Sequence, residues 1–464
     1  MDTKTSERLF HCLVFATVFG AAVLCCDKPV SAASLRAGAA KRSIVPPFPT
    51  HMGGFHDRVA DFEGVHDDLF VRALVLDNEQ TQVVIIGSDL MAIDGDMVRL
   101  VREQIERETS IPAGNILVSC AHNHSAPSYY QLELKGEKDP PLKKFLVDRF
   151  VEAAVDAFQN RVPAAAGFRA GELRGASTNR QQGNDDVIDP QVGVFSVVGL
   201  KDRQPIAVLF NFTAHPVILG SKNLLLSGEY PGAAARAVED LMGGVAIFTQ
   251  GACGDVTVHR NGDPYEEIER VGRTLAGEVI KTAGFIRGSE TLALSAASRS
   301  LSLEPRTVPK LEDARAELQR VQASLERAKQ NGANPQILRD LNQKLRLLHA
   351  NVRIAEQAPS DTGRLADAAN AEVQVLRFGE CVLVAVPGEI FVEFALELRQ
   401  RIQQSVNFST VLVGYANGYV GYIVTPRAVV TGGYEASVRR VHVNSGRRMI
   451  EAAIELTGEI VQSE

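Results

Sequence analysis

A chain of 464 residues with 45% hydrophobic content is long enough to bury a large core, as one big domain or two. Charged residues make up 23% and the formal net charge is −7, with no long run of like charge, so the electrostatic footprint of a nucleic-acid-binding protein is absent. Tryptophan is missing and glycine occurs 38 times, a composition that suits a loop-rich α/β enzyme.

Arg8 precedes an apolar run from Leu9 to Cys26, and Val30-Ser31-Ala32 follows as a small-residue cleavage site. The pattern predicts a signal peptide over residues 1–32 and export, to the periplasm or outside the cell. Left uncleaved, the same run is long enough to anchor the protein in a membrane. Cleavage removes Cys12, Cys25 and Cys26 and leaves Cys120, Cys253 and Cys381. Three cysteines are too few for a disulfide framework and allow at most one pair in an oxidising compartment.

The mature region, residues 33–464, opens with a strand from Arg36 that closes at Pro46-Pro47, followed by a glycine-rich loop at His51-Met52-Gly53-Gly54. Leu69 to Leu76 and Gln82 to Ile86 read as paired strands around an Asp77-Asn78 turn. Met97 to Ile105 repeats apolar residues at helical spacing. Ile116 to Val118 then has the β-branched content of a buried strand, and it runs into Ala121-His122-Asn123-His124-Ser125 before Pro127. Two imidazoles at the end of a buried strand suggest a metal site. In extended backbone their rings face opposite ways, so one ligates and the other supports it. An isolated pair of this kind is more often two polar loop histidines, so the reading depends on partners elsewhere.

Leu142 to Phe158 predicts an amphipathic helix, Ala166 to Ala176 an alternating strand, and Val192 to Val198 a further apolar strand. Ile206 to Phe212 repeats the earlier pattern, a buried strand delivering His215 just beyond its end. Pro231 suits the first turn of a helix through Met242. Val245 to Thr249 is a strand opening into Gln250 to Thr257, and Glu266 to Ile286 is a long helix. Residues 309–357 carry two apolar helical stripes broken at Asn331-Gly332, which predicts a partly coiled-coil-like helical hairpin inserted in the domain. We read it as a solvated insertion, the functional alternative being an oligomerisation or substrate-gating arm. Val373 to Phe378 and Cys381 to Val386 form a hairpin around Gly379-Glu380 and end in Pro387-Gly388-Glu389. A helix to Gln404, a strand from Thr410 to Gly414 and a last helix through about Thr457 complete the chain, whose fold class is α/β with central mixed sheets flanked by helices.

Four apolar strands thus end in His122, His215, Glu389 and the Tyr415 to Tyr422 loop. Two imidazoles and a carboxylate are what a catalytic zinc takes while keeping a position for water, and such a metal lowers the pKa of bound water towards about 7.

The chain resembles the catalytic domain of the neutral/alkaline non-lysosomal ceramidases. The matching pieces are His122-Asn123-His124-Ser125-Ala126-Pro127, Asn179-Arg180, Asn211-Phe212-Thr213-Ala214-His215, Ser227-Gly228-Glu229, Gly254-Asp255-Val256, Pro387-Gly388-Glu389, Tyr419-Val420-Gly421-Tyr422 and Tyr434-Glu435, in the family's order. The resemblance implies a zinc-dependent amidohydrolase that cuts the N-acyl bond of ceramide, with Zn2+ held by His122, His215, Glu389 and Tyr422, Tyr419 being the fallback for the last. It also implies catalytic roles for His124, Arg180, Tyr434 and Thr257, and attack of zinc-bound hydroxide on the acyl carbonyl. The expected partner is an N-acyl amide or lipid-like substrate met with peripheral membrane contact.

Two departures bear on this. The family pattern has serine where this chain has Thr257, whose methyl crowds the site and restricts χ1. The chain also stops soon after Tyr434-Glu435, so the family's C-terminal β-rich domain is expected to be missing. The competing readings are a hydrolase of a different amide or ester and a catalytically silent metal-binding protein.

Overall fold

Most strands of the main sheet are buried on both faces, and the architecture follows from giving each face a partner. The computed structural model describes residues 34–55, 57–58, 60–129, 139–181, 183–356 and 369–462, so the segment read as a signal peptide lies outside the described residues. Eight strands form one mixed sheet: β1 (Arg36–Ser43), β2 (Phe70–Asp77), β3 (Gln82–Ser88), β4 (Ile116–Cys120), β5 (Val162–Glu172), β6 (Gln191–Gly199), β7 (Pro205–Phe212) and β8 (Val245–Gln250). Their order is β8-β7-β6-β5-β1-β2-β3-β4. The outermost pair at each edge is parallel; the neighbours between are antiparallel. A second sheet runs β9 (Leu294–Leu303), β10 (Ala369–Phe378), β11 (Cys381–Ala385) and β12 (Ser409–Val413), with β11 and β12 parallel.

Side chains alternate across a strand, and here the alternation separates two cores. Leu74, Leu76, Val83, Ile85 and Leu117 pack with Leu376, Leu383 and Val411 of the second sheet. Ala73, Val75, Val84, Ile86 and Val118 point the opposite way, onto α1 (Gly95–Thr109) and α2 (Pro140–Gln159). The same outer face is covered over β6 to β8 by α3 (Glu229–Met242) and α4 (Pro264–Ala283). Between β9 and β10 the chain makes α5 (Leu311–Gln330) and α6 (Pro335–Glu356). Beyond the second sheet follow α7 (Val392–Val406), the short α8 (Pro426–Thr431) and α9 (Tyr434–Val438), and α10 (Ser445–Gln462). Helices α7 and α10 cover the outer face of that sheet. The layers are therefore helix, sheet, sheet, helix. Among the described residues no helix is long and apolar enough to cross a membrane.

Local chemistry sets the helix starts. Asp94 caps α1 by accepting from the Met97 amide at 2.8 Å. Asp139 and Asp263 cap α2 and α4, each followed by a proline whose fixed φ and missing N–H suit the first turn. Helices α5 and α6 pack antiparallel through Ala314, Val352 and Ala355, with Arg315 paired to Glu356 and Lys344 to Glu317.

Two strands of the sheets differ from the sequence reading. The strand read over Ala166 to Ala176 spans Val162–Glu172, because its ladder with β6 runs from Ala164 opposite Gly199 to Glu172 opposite Gln191. Strand β9 was not read at all: it is an edge strand whose Ser298, Ser300 and Ser302 face solvent, so its apolar signal is weak. The single disulfide that composition allowed does not form. Cys120, Cys253 and Cys381 are free and buried, and Cys253 Sγ lies 3.2 Å from the Tyr415 hydroxyl.

One buried ion pair joins β2 to Asp89, the residue after β3, whose backbone in turn holds the loop after β4. Arg72 Nη1 lies 3.0 and 2.9 Å from the two carboxylate oxygens of Asp89, and each side chain is 3% exposed. The Asp89 carbonyl accepts from Asn123 Nδ2 at 3.1 Å. Removing the cation alone leaves a carboxylate buried and uncompensated. Arg72→Leu is expected to cost about 3–5 kcal/mol, read as a lower urea midpoint at unchanged slope; a loss under about 1 kcal/mol, the size of a surface pair, would show the bridge to be dispensable.

Candidate metal centre

The carboxyl ends of β4, β7, β11 and β12 meet, which is where open α/β sheets collect functional side chains. His122 follows β4, His215 follows β7, Glu389 follows β11 and Tyr415 follows β12. His122 Nε2 and His215 Nε2 each lie 3.2 Å from the same oxygen, Glu389 Oε2. His124 Nε2 is 3.1 Å from His122 Nε2, and one nitrogen from each of His122, His124 and His215 falls within 4.8 Å of the others.

The two neighbouring histidines do not face opposite ways as extended backbone would require. His122 has φ 63, a left-handed conformation that bulky residues seldom adopt. It turns both rings to one side, with centroids 4.7 Å apart. Glu229, Tyr415 and Asn417 are also left-handed, at φ 53, 52 and 59, so the backbone around the centre concentrates strain of the kind functional sites carry.

The donor set suits a cation. His122 Nδ1 lies 3.2 Å from the Met91 carbonyl and His215 Nδ1 lies 2.5 Å from the Cys253 carbonyl. A carbonyl only accepts, so each Nδ1 carries its proton and each ring turns Nε2 to the centre. Burial, with Arg180 nearby, pushes His215 down to about 4. Burial likewise drives His124 well below the ordinary histidine range, and its Nδ1 is buried without a hydrogen-bond partner. Burial works against an ionised Glu389, yet the facing His122 and His215 outweigh it and hold the carboxyl well below its usual range. Imidazole nitrogens and a carboxylate oxygen thus converge in a group that could hold a metal ion.

Most of the side chains that support these residues are buried as well. Gln250 Nε2 donates to the carbonyls of Ala121 (3.0 Å) and Ala214 (2.9 Å), the residues just before His122 and His215. Asn417 binds the β4 backbone twice, accepting from the Val118 amide at 3.0 Å and donating its own amide to the Val118 carbonyl at 2.8 Å. Gly254 is required where it stands, since a Cβ there would lie 2.4 Å from the Glu389 carbonyl oxygen. Asp255, which burial raises to about 6, accepts from the Val392 amide and from Asn179 Nδ2. Arg180 donates to the Gly254 carbonyl at 2.6 Å and pairs with Glu435 at 3.0 Å. Arg58 reaches the His124 carbonyl at 2.5 Å, and burial lowers its pKa to about 10.

Two cavities adjoin the centre. One, of about 100 Å³, is lined by Met91, His122, His124, Glu389 and Tyr419 among others. The other, of about 530 Å³, is lined by residues including Phe55, Arg180, His215 and Val217. Gly54, His124, Tyr422, Tyr434 and Arg353 line both. A Cβ on Gly54 would come within 2.2 Å of His124 Nδ1, so only glycine lets this loop close over the ring. The hairpin takes part: Leu347, Ala350, Arg353 and Ile354 of α6 are wall residues, whereas the sequence reading favoured a solvated insertion.

The residues singled out in the sequence fall as follows. His122, His124, His215 and Glu389 converge. Tyr419, the fallback, donates a short hydrogen bond to Glu389 Oε1, and Tyr422 lies against Arg180, its ring edge-on to Tyr434. Arg180 and Tyr434 line the larger cavity. Thr257 is bridged to His215 through the backbone but lines neither cavity, and its Oγ1 is buried without a hydrogen-bond partner. Sequence reasoning missed Gln250 and Arg58, and it placed Tyr415 at a strand end without a role; its ring stacks on His122 with centroids 4.1 Å apart. Nothing local marks them, because each acts on a residue distant in the chain.

A profile of the family described as "Neutral/alkaline non-lysosomal ceramidase, N-terminal" matches residues 37–269. The neutral ceramidase of Mycobacterium tuberculosis is 24% identical over 381 residues, which is 69% of this chain and 59% of that protein, so the match spans less than two thirds of the relative. The crystal structure of neutral ceramidase from Pseudomonas aeruginosa aligns with TM-score 0.72 at 20% identity, over 92% of this chain and 75% of its own. A structure described as ceramidase complexed with C2 aligns with TM-score 0.72 at 18% identity, over 92% and 76%. At these identities the solved structures establish the fold.

Two outcomes follow from the geometry. His122→Ala and His215→Ala are each expected to abolish stoichiometric zinc uptake, measured by elemental analysis of the folded variants; full occupancy in either would remove that residue from the centre. Glu229, fully buried, accepts from the amides of Ile218 and Leu219 just after His215, and burial raises its pKa from 4.5 to about 7. Its stabilising contribution is therefore complete below pH 4.5 and lost as pH rises through about 7. Glu229→Gln keeps an acceptor and does not titrate, so the stability difference between variant and wild type should change across that window. A difference constant with pH would show that Glu229 is not the group responsible.

Proposed function

Because the chain belongs to the neutral/alkaline non-lysosomal ceramidase family, we propose that it is a zinc-dependent hydrolase of an N-acyl amide bond. The observation that carries the reading is the convergence of His122 Nε2 and His215 Nε2 on Glu389 Oε2, with both Nδ1 protons committed to backbone carbonyls. His122, His215 and Glu389 would hold the ion, with Tyr422 or Tyr419 as a fourth ligand. Zinc bound there supplies Lewis-acid polarisation and lowers the pKa of water towards about 7.

The chain's own residues account for the rest of the chemistry. Hydrolysis consumes one water: its oxygen bonds to the acyl carbon, the C–N bond breaks, and the nitrogen leaves as an amine after gaining a proton. Negative charge develops on the carbonyl oxygen, and a positioned cation and phenol stabilise it. Arg180 is aimed by the Gly254 carbonyl and Glu435, and Tyr434 faces the same cavity; we assign both to that oxyanion. His124, whose ring lines both cavities, is assigned to carry the proton between the attacking water and the departing nitrogen. We assign Thr257 to act through His215, whose backbone it bridges, more directly than on substrate. The reading includes export by way of residues 1–32, on the strength of their basic, apolar and small-residue pattern.

The test is release of free sphingoid base from ceramide by the purified protein, with and without a zinc chelator. Chelator-sensitive release that zinc restores is the expected result. Absence of release from zinc-loaded protein would remove ceramide as the substrate, and absence of turnover on every N-acyl amide tried would leave the catalytically silent metal-binding reading in its place.

A further inference from the structure

The eight-stranded sheet curls until one edge strand packs against the other side of the sheet. Strand β8 stands at one edge and β4 at the other, yet β8 packs against both β3 and β4. The approach is close: a Cβ on Gly87 of β3 would stand 2.6 Å from the Phe248 carbonyl oxygen of β8. The carboxyl end of β8 therefore arrives beside the ends of β4 and β7, which lead into His122 and His215. Gln250 is the last residue of β8 and is fully buried.

Its side chain has two N–H donors and two acceptor sites, and all four are spent on backbone. Nε2 donates to the carbonyls of Ala121 and Ala214 at 3.0 and 2.9 Å. Oε1 accepts from the amides of Gly251 at 3.1 Å and Ala214 at 3.3 Å. Carbonyls only accept and amides only donate, so these partners force the orientation of the carboxamide. The Gln250 backbone carbonyl accepts from the Gly414 amide at 2.9 Å, just ahead of Tyr415. One residue is thus bonded to the segments that carry His122, His215 and Tyr415, on both sheets. The Ala214 carbonyl also accepts from the Tyr230 hydroxyl at 2.6 Å, which holds it from a second side. Gln250 lines neither cavity, so it acts on the centre through the residues it holds.

We propose that Gln250 is a positioning residue for the metal: its one carboxamide sets the separation of His122 and His215, and with it the affinity and geometry of the centre. The inference rests on the zinc reading above and deepens it. His122 stands on left-handed backbone, a conformation that persists only where the surroundings hold it. The carbonyl just before it is one of the two that Nε2 engages. Loss of the donor leaves two carbonyls short of a partner in a dry interior, and the two histidine segments are free to part. A carboxylate in the same place is worse, since it turns an oxygen towards both carbonyls.

The experiment measures zinc affinity by competition with a chromophoric chelator, on the full protein as wild type, Gln250→Glu and Gln250→Leu. The first variant keeps the shape and loses both donors; the second removes the polar group. Each is expected to bind zinc about tenfold to a hundredfold more weakly, the usual effect of losing a partner that orients ligating histidines. The visible absorption of the cobalt-loaded protein should shift as well, because those bands follow the angles between ligands. A loss of stability alone would leave both the bands and the affinity of the folded molecules in place. Circular dichroism shows which variants fold, and if neither does, Gln250→Asn, which keeps the amide but not its reach, is measured in the same way. Unchanged zinc affinity or unchanged cobalt bands in a folded variant overturns the proposal. Failure of all three to fold also overturns it, making Gln250 a residue of the fold alone. Wild type that binds neither zinc nor cobalt fails the metal reading, and this inference with it.

Discussion

Two imidazoles and a carboxylate meet in one buried space, where polar groups must be held against close partners, and the centre of this protein is built around that constraint. His122 and His215 have their Nδ1 atoms tied to the carbonyls of Met91 and Cys253 and turn their Nε2 atoms to Glu389 Oε2. The arrangement persists because the surroundings over-determine it. Gln250 holds the residues before both histidines with one amide group, Asn417 pins the end of β4, and the missing side chain of Gly254 lets the Glu389 backbone close on it. The left-handed backbone of His122 is the local cost of the geometry.

That constraint explains why the site sits between two sheets. Glu389 and Tyr415 follow strands of the four-stranded sheet, while His122 and His215 follow strands of the eight-stranded one. The two histidines and the carboxylate meet only when the sheets pack face to face through the core that joins Leu74, Leu76 and Leu117 to Leu376 and Leu383. Packing and chemistry are coupled in this way, since loss of the inter-sheet core separates the carboxylate from the imidazoles. The hairpin adds a further layer, because α6 both walls the cavities and rests on the helix that starts at Tyr434.

Much of this was legible in the sequence. Apolar runs ending in His122, His215 and Glu389 signalled strands that deliver polar side chains at their carboxyl ends, since a buried strand must be apolar and its exit is where a polar group can stand. The helices read from Met97 and from Glu266 were legible in their apolar spacing, and the structure adds the Asp94 and Asp263 caps ahead of them. Strand β9 was not legible, because an edge strand with serines towards solvent carries little apolar periodicity. The convergence of His122 and His124 on one side was not legible either, since alternation assumes extended backbone and φ 63 at His122 breaks it. Gln250 and Tyr415 stayed silent, as a glutamine or tyrosine after a strand has no signature until its distant partners are known.

By itself, then, the sequence determined the α/β class, the positions of most strands and helices, and the residue types available at the strand ends, because these depend on periodicity and local capping. Only the tertiary structure decided which nitrogen of each histidine faces inward, that Tyr419 reaches Glu389 while Tyr422 turns to Arg180, and that a helix of the insertion walls the site. Each of these depends on contacts between residues tens to hundreds of positions apart, which local pattern does not encode.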